Sequence, residues 1–292
     1  MKIGFIGAGH VGFSLSRWIN LRHHNVLGVY SKNKEDSLEC AKFSISEYYS
    51  KLDDLIYDCD TLFLTVNDDS IKDVVLELIK LNVKNKILIH TSGSLSSSIF
   101  MELNNDNYCY SIHPLYAFSD KLTAYKGLDD IYFTIEGNNQ NIDILNDIFN
   151  NKLIAINKFN KEKYHLACSM ISNMVCGITD IAEMIFKEIG IDNRNIYLPL
   201  FDNISKNIIS NNSLNSLTGP IIRNDIGTVK KHINNLSNNE LLVYKYLGLH
   251  LIDMSQKRTN LNYKELKELL EGIWWLRLIL LKKTRERKKW LC

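Results

Sequence analysis

The chain has 292 residues, 45% of them hydrophobic and 23% charged. That is ordinary globular usage, long enough for about two domains and a sizeable core, which disfavours disorder and disulfide-stapled scaffolds. Lysine and arginine number 35 against 33 acidic residues, a net charge of +2, so a polyanion such as nucleic acid is not an expected partner.

In chain order, β-rich apolar runs fall at 2–6, 26–30, 61–66, 86–90, 108–112, 131–135 and 153–156. Helical patterns fall between them, from the first glycines to Leu21, at 33–43 and at 70–81. This alternation predicts an α/β domain with a doubly wound, mostly parallel sheet over residues 1–157. From 161 the pattern is continuously helical to a stop at Gly190. Further helices follow, with Asn/Ser-rich connectors at 210–216 and 234–239, giving an all-helical domain over 158–271. The last stretch, 272–292, is a basic tail with Trp274, Trp275 and Trp290. Its chemistry suits either an anionic membrane surface or a solvated extension.

Residues 7–12 read Gly7-Ala8-Gly9-His10-Val11-Gly12, a G-x-G-x-x-G directly after a strand and directly opening a helix. In that context Gly7 permits the turn, Gly9 lets a pyrophosphate approach the backbone, and Gly12 allows close helix–strand packing. The helix end offers unpaired N–H groups to the phosphates, with His10 and Val11 inside the loop. The second strand ends at Tyr30-Ser31-Lys32-Asn33 with no carboxylate at its tip. Ser31 and Asn33 can hydrogen-bond and Lys32 can pair with a 2′-phosphate, which favours NADP (NADPH) over NAD. Val66 and Ser92 lie in loops expected beyond the carboxyl ends of later strands, where a Rossmann sheet binds ligands. His113, held extended by Pro114, either lines the site or is a structural histidine.

On the helix from 161, the polar residues Lys161, His165, Ser169, Ser172 and Asn173 form a stripe at helical spacing. His165 or Lys161 is a candidate proton donor for reduction, and Asn173 and Ser172 are candidate substrate contacts. The bland alternative is that Lys161 starts a solvated helix and His165 is a satisfied core histidine. A second cluster, residues 217–228, holds Thr218 and Arg223. Arg223 is a candidate carboxylate fork that Asp225 would otherwise neutralise. No metal site is expected. The six cysteines include no C-x-x-C and no zinc-ligand spacing, and they read as reduced thiols of a cytoplasmic protein. No secretory leader opens the chain. The apolar run 273–281 is interrupted by Arg277 and too short for an integral membrane segment, which needs about 20 residues.

The motifs GAGHVG, YSKN, DTLFLTVNDDSI, HTSGSL, HPL, KEKYHLACSMISN and LTGPIIRNDIGTVKKH, in this order, resemble one bacterial Rossmann-like family. Its C-terminal helical domain is of unknown function. The family is related to pyrroline-5-carboxylate reductase, deazaflavin-dependent NADP reductase and ketopantoate reductase. The resemblance covers about residues 1–270. It implies an NADP-binding Rossmann domain and a helical substrate and dimerisation domain of the 6-phosphogluconate dehydrogenase C-terminal-like type, hence a homodimer. It also implies NADPH-dependent reduction of a small keto acid, first 2-dehydropantoate to pantoate in pantothenate biosynthesis. A cyclic-imine reductase and a non-catalytic NADP-binding sensor remain as alternatives. Carried over by motif, the cofactor residues are Gly7, Gly9, Gly12, Ser31 and Lys32, and the substrate-side residues are His165, Asn173, Thr218 and Arg223. Two departures stand out. The Lys-x-x-x-Asn pair of ketopantoate reductases is here Lys161 and His165, which leaves the proton donor open. Asn67 stands where relatives have proline.

Overall fold

The structure is a computed structural model that describes residues 1–137, 142–149 and 152–272. The expected basic aromatic tail, from 273 on, lies outside the described residues. The chain divides into two compact units at Cys176 and Gly177.

The first unit holds β1 (Lys2–Ile6), α1 (His10–Leu21), β2 (Asn25–Tyr30), α2 (Lys34–Ser44), β3 (Glu47–Tyr48), α3 (Leu52–Asp58), β4 (Thr61–Leu64) and α4 (Asp68–Lys80). It continues with β5 (Ile87–His90), β6 (Tyr108–Pro114), β7 (Phe133–Gly137), α5 (Ile142–Ile148), β8 (Leu153–Ala155) and α6 (Lys161–Ile171). The strands form one sheet in the order β3-β2-β1-β4-β5-β6-β7-β8. All neighbours are parallel except β6 and β7, which pair antiparallel, Ile112 opposite Ile135. Successive strand residues point to opposite faces. Phe5, Phe63, Ile89 and Ile112 enter one apolar cluster, and Ile6, Leu62, Leu64 and Leu88 enter another. Both faces are therefore covered. This is why β4 and β5 read as continuous apolar runs rather than alternating ones.

Three elements escape the sequence pattern: the two-residue strand β3, α3 and α5. Val66 falls just past β4 rather than inside it. The helix expected over 161–190 is interrupted at Ser172, where α6 gives way to α7 (Asn173–Glu188). Gly190, at φ +79°, takes the left-handed conformation that ends the run. The stretch Lys158–Glu188 is, by length and composition, apolar enough to cross a membrane, with mean hydropathy 1.2. That feature was not singled out in the sequence.

After α7, the second unit contains α8 (Leu198–Ser216), α9 (Ile226–Asn234), α10 (Asn238–Gln256) and α11 (Lys264–Glu271). Its core gathers Ile221, Val229, Ile252, Tyr263, Leu266 and Leu270. The Asn/Ser-rich stretch 210–216, expected as a connector, is instead the end of α8, kinked at Asn212 with φ +64°. Asparagine tolerates that conformation better than most residues, so a polar run need not end a helix.

Candidate functional site

The turn after β1 is shaped by what glycine lacks. Gly7 has φ +112°, and a Cβ there would lie 2.8 Å from the Thr65 backbone. A Cβ on Gly12 would lie 2.3 Å from the Gly7 carbonyl oxygen and 2.8 Å from Thr65 Oγ1. A Cβ on Gly9 would meet only Thr65 O, at 3.9 Å. Gly7 and Gly12 thus answer to the fold, whereas the protein itself makes no steric demand on Gly9.

Helix α1 starts at this turn with no side-chain cap and no acidic residue in its first turn. Helices α2 and α4 are capped by Asn33 and Asn67 and carry acidic first turns. The N–H groups and positive dipole end of α1 are therefore left for an anion. They border a cleft of about 1100 Å³ lined by Gly7, Gly9, Ser31, Lys32, Asn33 and Val66.

The structure revises several loop assignments. Asn33 Oδ1 accepts the backbone N–H groups of Glu35 and Asp36, at 2.9 and 3.3 Å. Its carbonyl is thus engaged as the cap of α2, and Ser31 and Lys32 make no side-chain hydrogen bond or ion pair among the described residues. His10 does not line the cleft; its Nδ1 lies 2.8 Å from the Phe118 carbonyl. Val11 and Ser92 line a smaller cavity of about 220 Å³, together with Val66, Asp68, His113 and His165. Ser92 Oγ donates to Asp68 Oδ2 at 2.9 Å and accepts from Leu95 N at 3.0 Å. Ser94 Oγ donates to the same Asp68 oxygen at 2.7 Å.

This smaller cavity is organised by the first turn of α6. Positions 161, 164 and 165 share one helix face, and positions 111 and 113 share one strand face. The two faces are stitched together. Lys161 is 1% exposed, and its Nζ donates to Ser111 Oγ at 2.6 Å and to Ser92 O at 2.9 Å. Burial pushes its pKa down to about 8, although the Glu136 and Asp68 carboxylates pull it upward. Glu136 is itself buried and accepts from Ser97 N and Oγ, at 2.7 and 2.8 Å. Lys161 is therefore not the head of a solvated helix. Tyr164 Oη lies 2.7 Å from His113 Nδ1. The His165 ring stands edge-on to the His113 ring, centroids 5.9 Å apart. A Cβ on Gly93 would fall 2.5 Å from His165 Cδ2 and 2.9 Å from His113 Nε2, so glycine makes room for both imidazoles.

Ser172 and Asn173 do not reach this cavity. They lie seven and eight residues beyond His165, about 10–12 Å along a helix axis, and Ser172 Oγ bonds Cys168 O and Asn173 Oδ1, both at 2.9 Å. Thr218 and Arg223 are exposed residues of the second unit. Beside them Asp225 caps α9, accepting from Thr228 N at 3.0 Å and Thr228 Oγ1 at 2.7 Å. Those bonds hold its carboxyl below the usual range, with a smaller contribution from Arg223. Sequence reasoning missed Tyr164, Ser111 and Glu136, and placed Asp68 only as a member of a loop at a strand end. The spacing of Tyr164 and His165 after Lys161 was visible, but its strand partners were not. Among the described residues, no group of three or more His, Cys, Asp or Glu is placed to hold a metal ion.

Residues 2–93 match the family described as NADP oxidoreductase, coenzyme F420-dependent. Residues 131–251 match a domain of unknown function, DUF2520. Among solved structures, the chain is similar to an NADP oxidoreductase from Bacteroides fragilis, 21% identical, with 86% of this chain and 98% of that one covered at TM-score 0.72. It is similar to a protein from Thermotoga maritima, 23% identical, covering 87% and 98% at TM-score 0.65. It is also similar to the Plasmodium falciparum pyrroline carboxylate reductase with NADP bound, 17% identical, covering 88% and 96% at TM-score 0.53. At these identities the likeness is one of fold. No curated protein matches the chain.

Proposed function

We propose, for a chain that joins an NADP-oxidoreductase Rossmann domain to a DUF2520 domain, the NADPH-dependent reduction of a small keto acid, with 2-dehydropantoate as the first substrate to try. One observation carries the cofactor half of this reading. The uncapped, acid-free start of α1 borders a cleft that also presents Ser31 and Lys32 and has no carboxylate at the tip of β2. The keto-acid half rests on the resemblance of the run of motifs to a family related to ketopantoate reductase, some of whose members look like an alternative ketopantoate reductase.

The residues present fit NADPH, which supplies a hydride when bound. The backbone N–H groups at Gly9 and the first turn of α1 are the pyrophosphate donors, and Ser31 and Lys32 take the 2′-phosphate. Val11 and Val66 give apolar surface beside the smaller cavity. His165 is exposed and lines that cavity, which makes it the proton donor of this proposal. Lys161, buried and bonded to Ser92 O and Ser111 Oγ, holds the loop that His165 faces. Arg223 and Thr218 remain proposed substrate contacts on their chemistry alone, whereas Ser172 and Asn173, out of reach of the cavity, are not carried further.

A second reading, reduction of a cyclic imine, is favoured by one feature. Asp68 is the charged side chain lining the smaller cavity, and a carboxylate suits a cationic iminium better than an anionic keto acid. Following absorbance of the reduced nicotinamide across a panel of keto acids and cyclic imines separates the readings. Turnover of 2-dehydropantoate supports the first and turnover of pyrroline-5-carboxylate the second. Tight NADPH binding with no turnover anywhere would instead indicate the non-catalytic sensor. In the same assay Lys32→Ala should lower the preference for NADPH over NADH at least tenfold. An unchanged ratio would remove Lys32 from the 2′-phosphate site.

The assembly proposed is a homodimer. Ile178, Met184 and Ile185 on α7 and Leu198, Leu200 and Phe201 on α8 are all exposed, and exposed apolar side chains in such number are what a partner surface would cover. A second copy covering it accounts for the span-like hydropathy of Lys158–Glu188 without a bilayer. Light scattering should give twice the chain mass, and Phe201→Asp should shift it toward the monomer. A monomeric wild-type protein at micromolar concentration would refute the assembly. The cytoplasm is the compartment proposed, in keeping with the five described cysteines, all free.

A further inference from the structure

We infer that His113 presents an Nε2–H donor to the substrate atom that gains electron density, and that Tyr164 is the positioning residue that fixes this proton arrangement. This rests on the reductase reading above. The geometry begins with Tyr164 Oη, 2.7 Å from His113 Nδ1. A neutral imidazole nitrogen is a better acceptor than a phenol oxygen, and a phenol is the better donor of the two. Burial pushes the Tyr164 hydroxyl well above its usual range, with a Thr134 hydrogen bond opposing and Cys168 adding to it; its proton stays on oxygen, and Nδ1 is a stronger acceptor for it than the Cys168 sulfur. A neutral ring whose Nδ1 accepts carries its own hydrogen on Nε2.

The Nε2 edge faces the place where Gly93 has no side chain, since a Cβ there would sit 2.9 Å from it. Gly93, His113 and His165 all line the smaller cavity. The groups that face His113 are Tyr164, His165 and Lys161 from α6, and Asp68 from the start of α4. Burial, then Lys161, with His165 acting in the same direction, push the His113 pKa down to about 4 against the opposing pull of Asp68. The ring is therefore neutral across physiological pH. A neutral donor stabilises a developing oxyanion or amide-like nitrogen without releasing a proton. With NADPH bound, the cofactor would supply the hydride and His165 the proton. His113 ends the step as it began, so atoms and electrons balance without it.

Nitrogen-15 NMR of the histidine side chains tests this on the ligand-free protein, with the His113 signals assigned by their loss in His113→Gln. The expected spectrum shows the Nε2–H tautomer, persisting down to about pH 5. In Tyr164→Phe it should give way to a mixture of tautomers. An Nδ1–H tautomer in the wild type, or an unchanged tautomer in Tyr164→Phe, overturns the inference. Kinetics supply a second readout. His113→Ala should lower kcat at least tenfold with NADPH affinity unchanged, and His113→Gln, which keeps an N–H donor, should recover part of the loss. A kcat within twofold of wild type in His113→Ala overturns the inference as well. A wild-type protein that bound no NADPH would sink the reductase reading, while the tautomer measurement would still decide the Tyr164–His113 arrangement.

Discussion

Gly9→Ala should weaken NADPH binding at least tenfold, about 1.4 kcal/mol, while leaving the melting temperature unchanged. The two halves of this result have separate causes. Within the protein, the new methyl group would meet only Thr65 O, at 3.9 Å, and the backbone at position 9 is extended, with φ −84° and ψ −176°, open to any residue. The fold therefore has no objection to alanine. The pyrophosphate does, because its oxygens must come within hydrogen-bond reach of the N–H groups that the methyl would shield. Gly12→Ala is the control of opposite character. Its methyl would sit 2.3 Å from the Gly7 carbonyl oxygen, a backbone atom with no flexible side chain to give way. Overpacking of that kind costs about 1–3 kcal/mol, and each kcal/mol lowers Tm by about 2–4 °C in a domain of this size. Titration by nicotinamide fluorescence and a thermal melt separate the two variants. If Gly9→Ala binds as tightly as the wild type, no dinucleotide phosphate approaches this turn.

The second large effect concerns Lys161 and pH. In the unfolded chain its ammonium titrates near 10.5, whereas in the folded protein burial brings that down to about 8. Between those values the unfolded state holds a proton that the native state has lost, so this group makes stability rise with pH across the window. Below the folded value both states are protonated and the native state carries the whole desolvation cost. Lys161→Met keeps the bulk and removes the titration. The difference in Tm, variant minus wild type, should therefore be most positive near neutrality and fall by a few degrees as pH rises from about 7 to about 10. Other groups that titrate in this range are common to both proteins and cancel in the difference. A constant difference across that range would mean that the ammonium is not buried as described.

Where the sequence could be read, the reading depended on local spacing. The glycine turn and the end of α1 at Leu21 depend on a few adjacent residues, as does the stop at Gly190, and each of these emerged. The parallel sheet was legible from long apolar runs, because strands covered on both faces have no polar side to alternate with. The two-residue strand β3 is too short to carry a period. The antiparallel pairing of β7 is a matter of connection rather than composition. The role of Asn33 was available but overlooked: asparagine followed by Lys34, Glu35 and Asp36 is a helix-cap signature, and the structure shows it in use. The site was less legible than the fold for the same reason in reverse. Lys161 sits in a charged-looking segment, Lys-Glu-Lys, and what buries it comes from Ser111 and Ser92, 50 and 69 residues away. Tyr164 reaches back 51 residues to His113. No window on the chain contains both ends of such a pair.

The first turn of α6 divides its labour, and this bears on how the protein could be re-engineered. Lys161 does the anchoring from a position no solvent reaches, whereas His165, one turn later on the same face, stays exposed at the cavity. If His165 is the proton donor, as proposed, attachment and chemistry reside in different side chains of one short helical segment. On that proposal the donor can be exchanged while the fastening stays in place, which makes position 165 the place to install an altered acid and position 161 the one to leave alone.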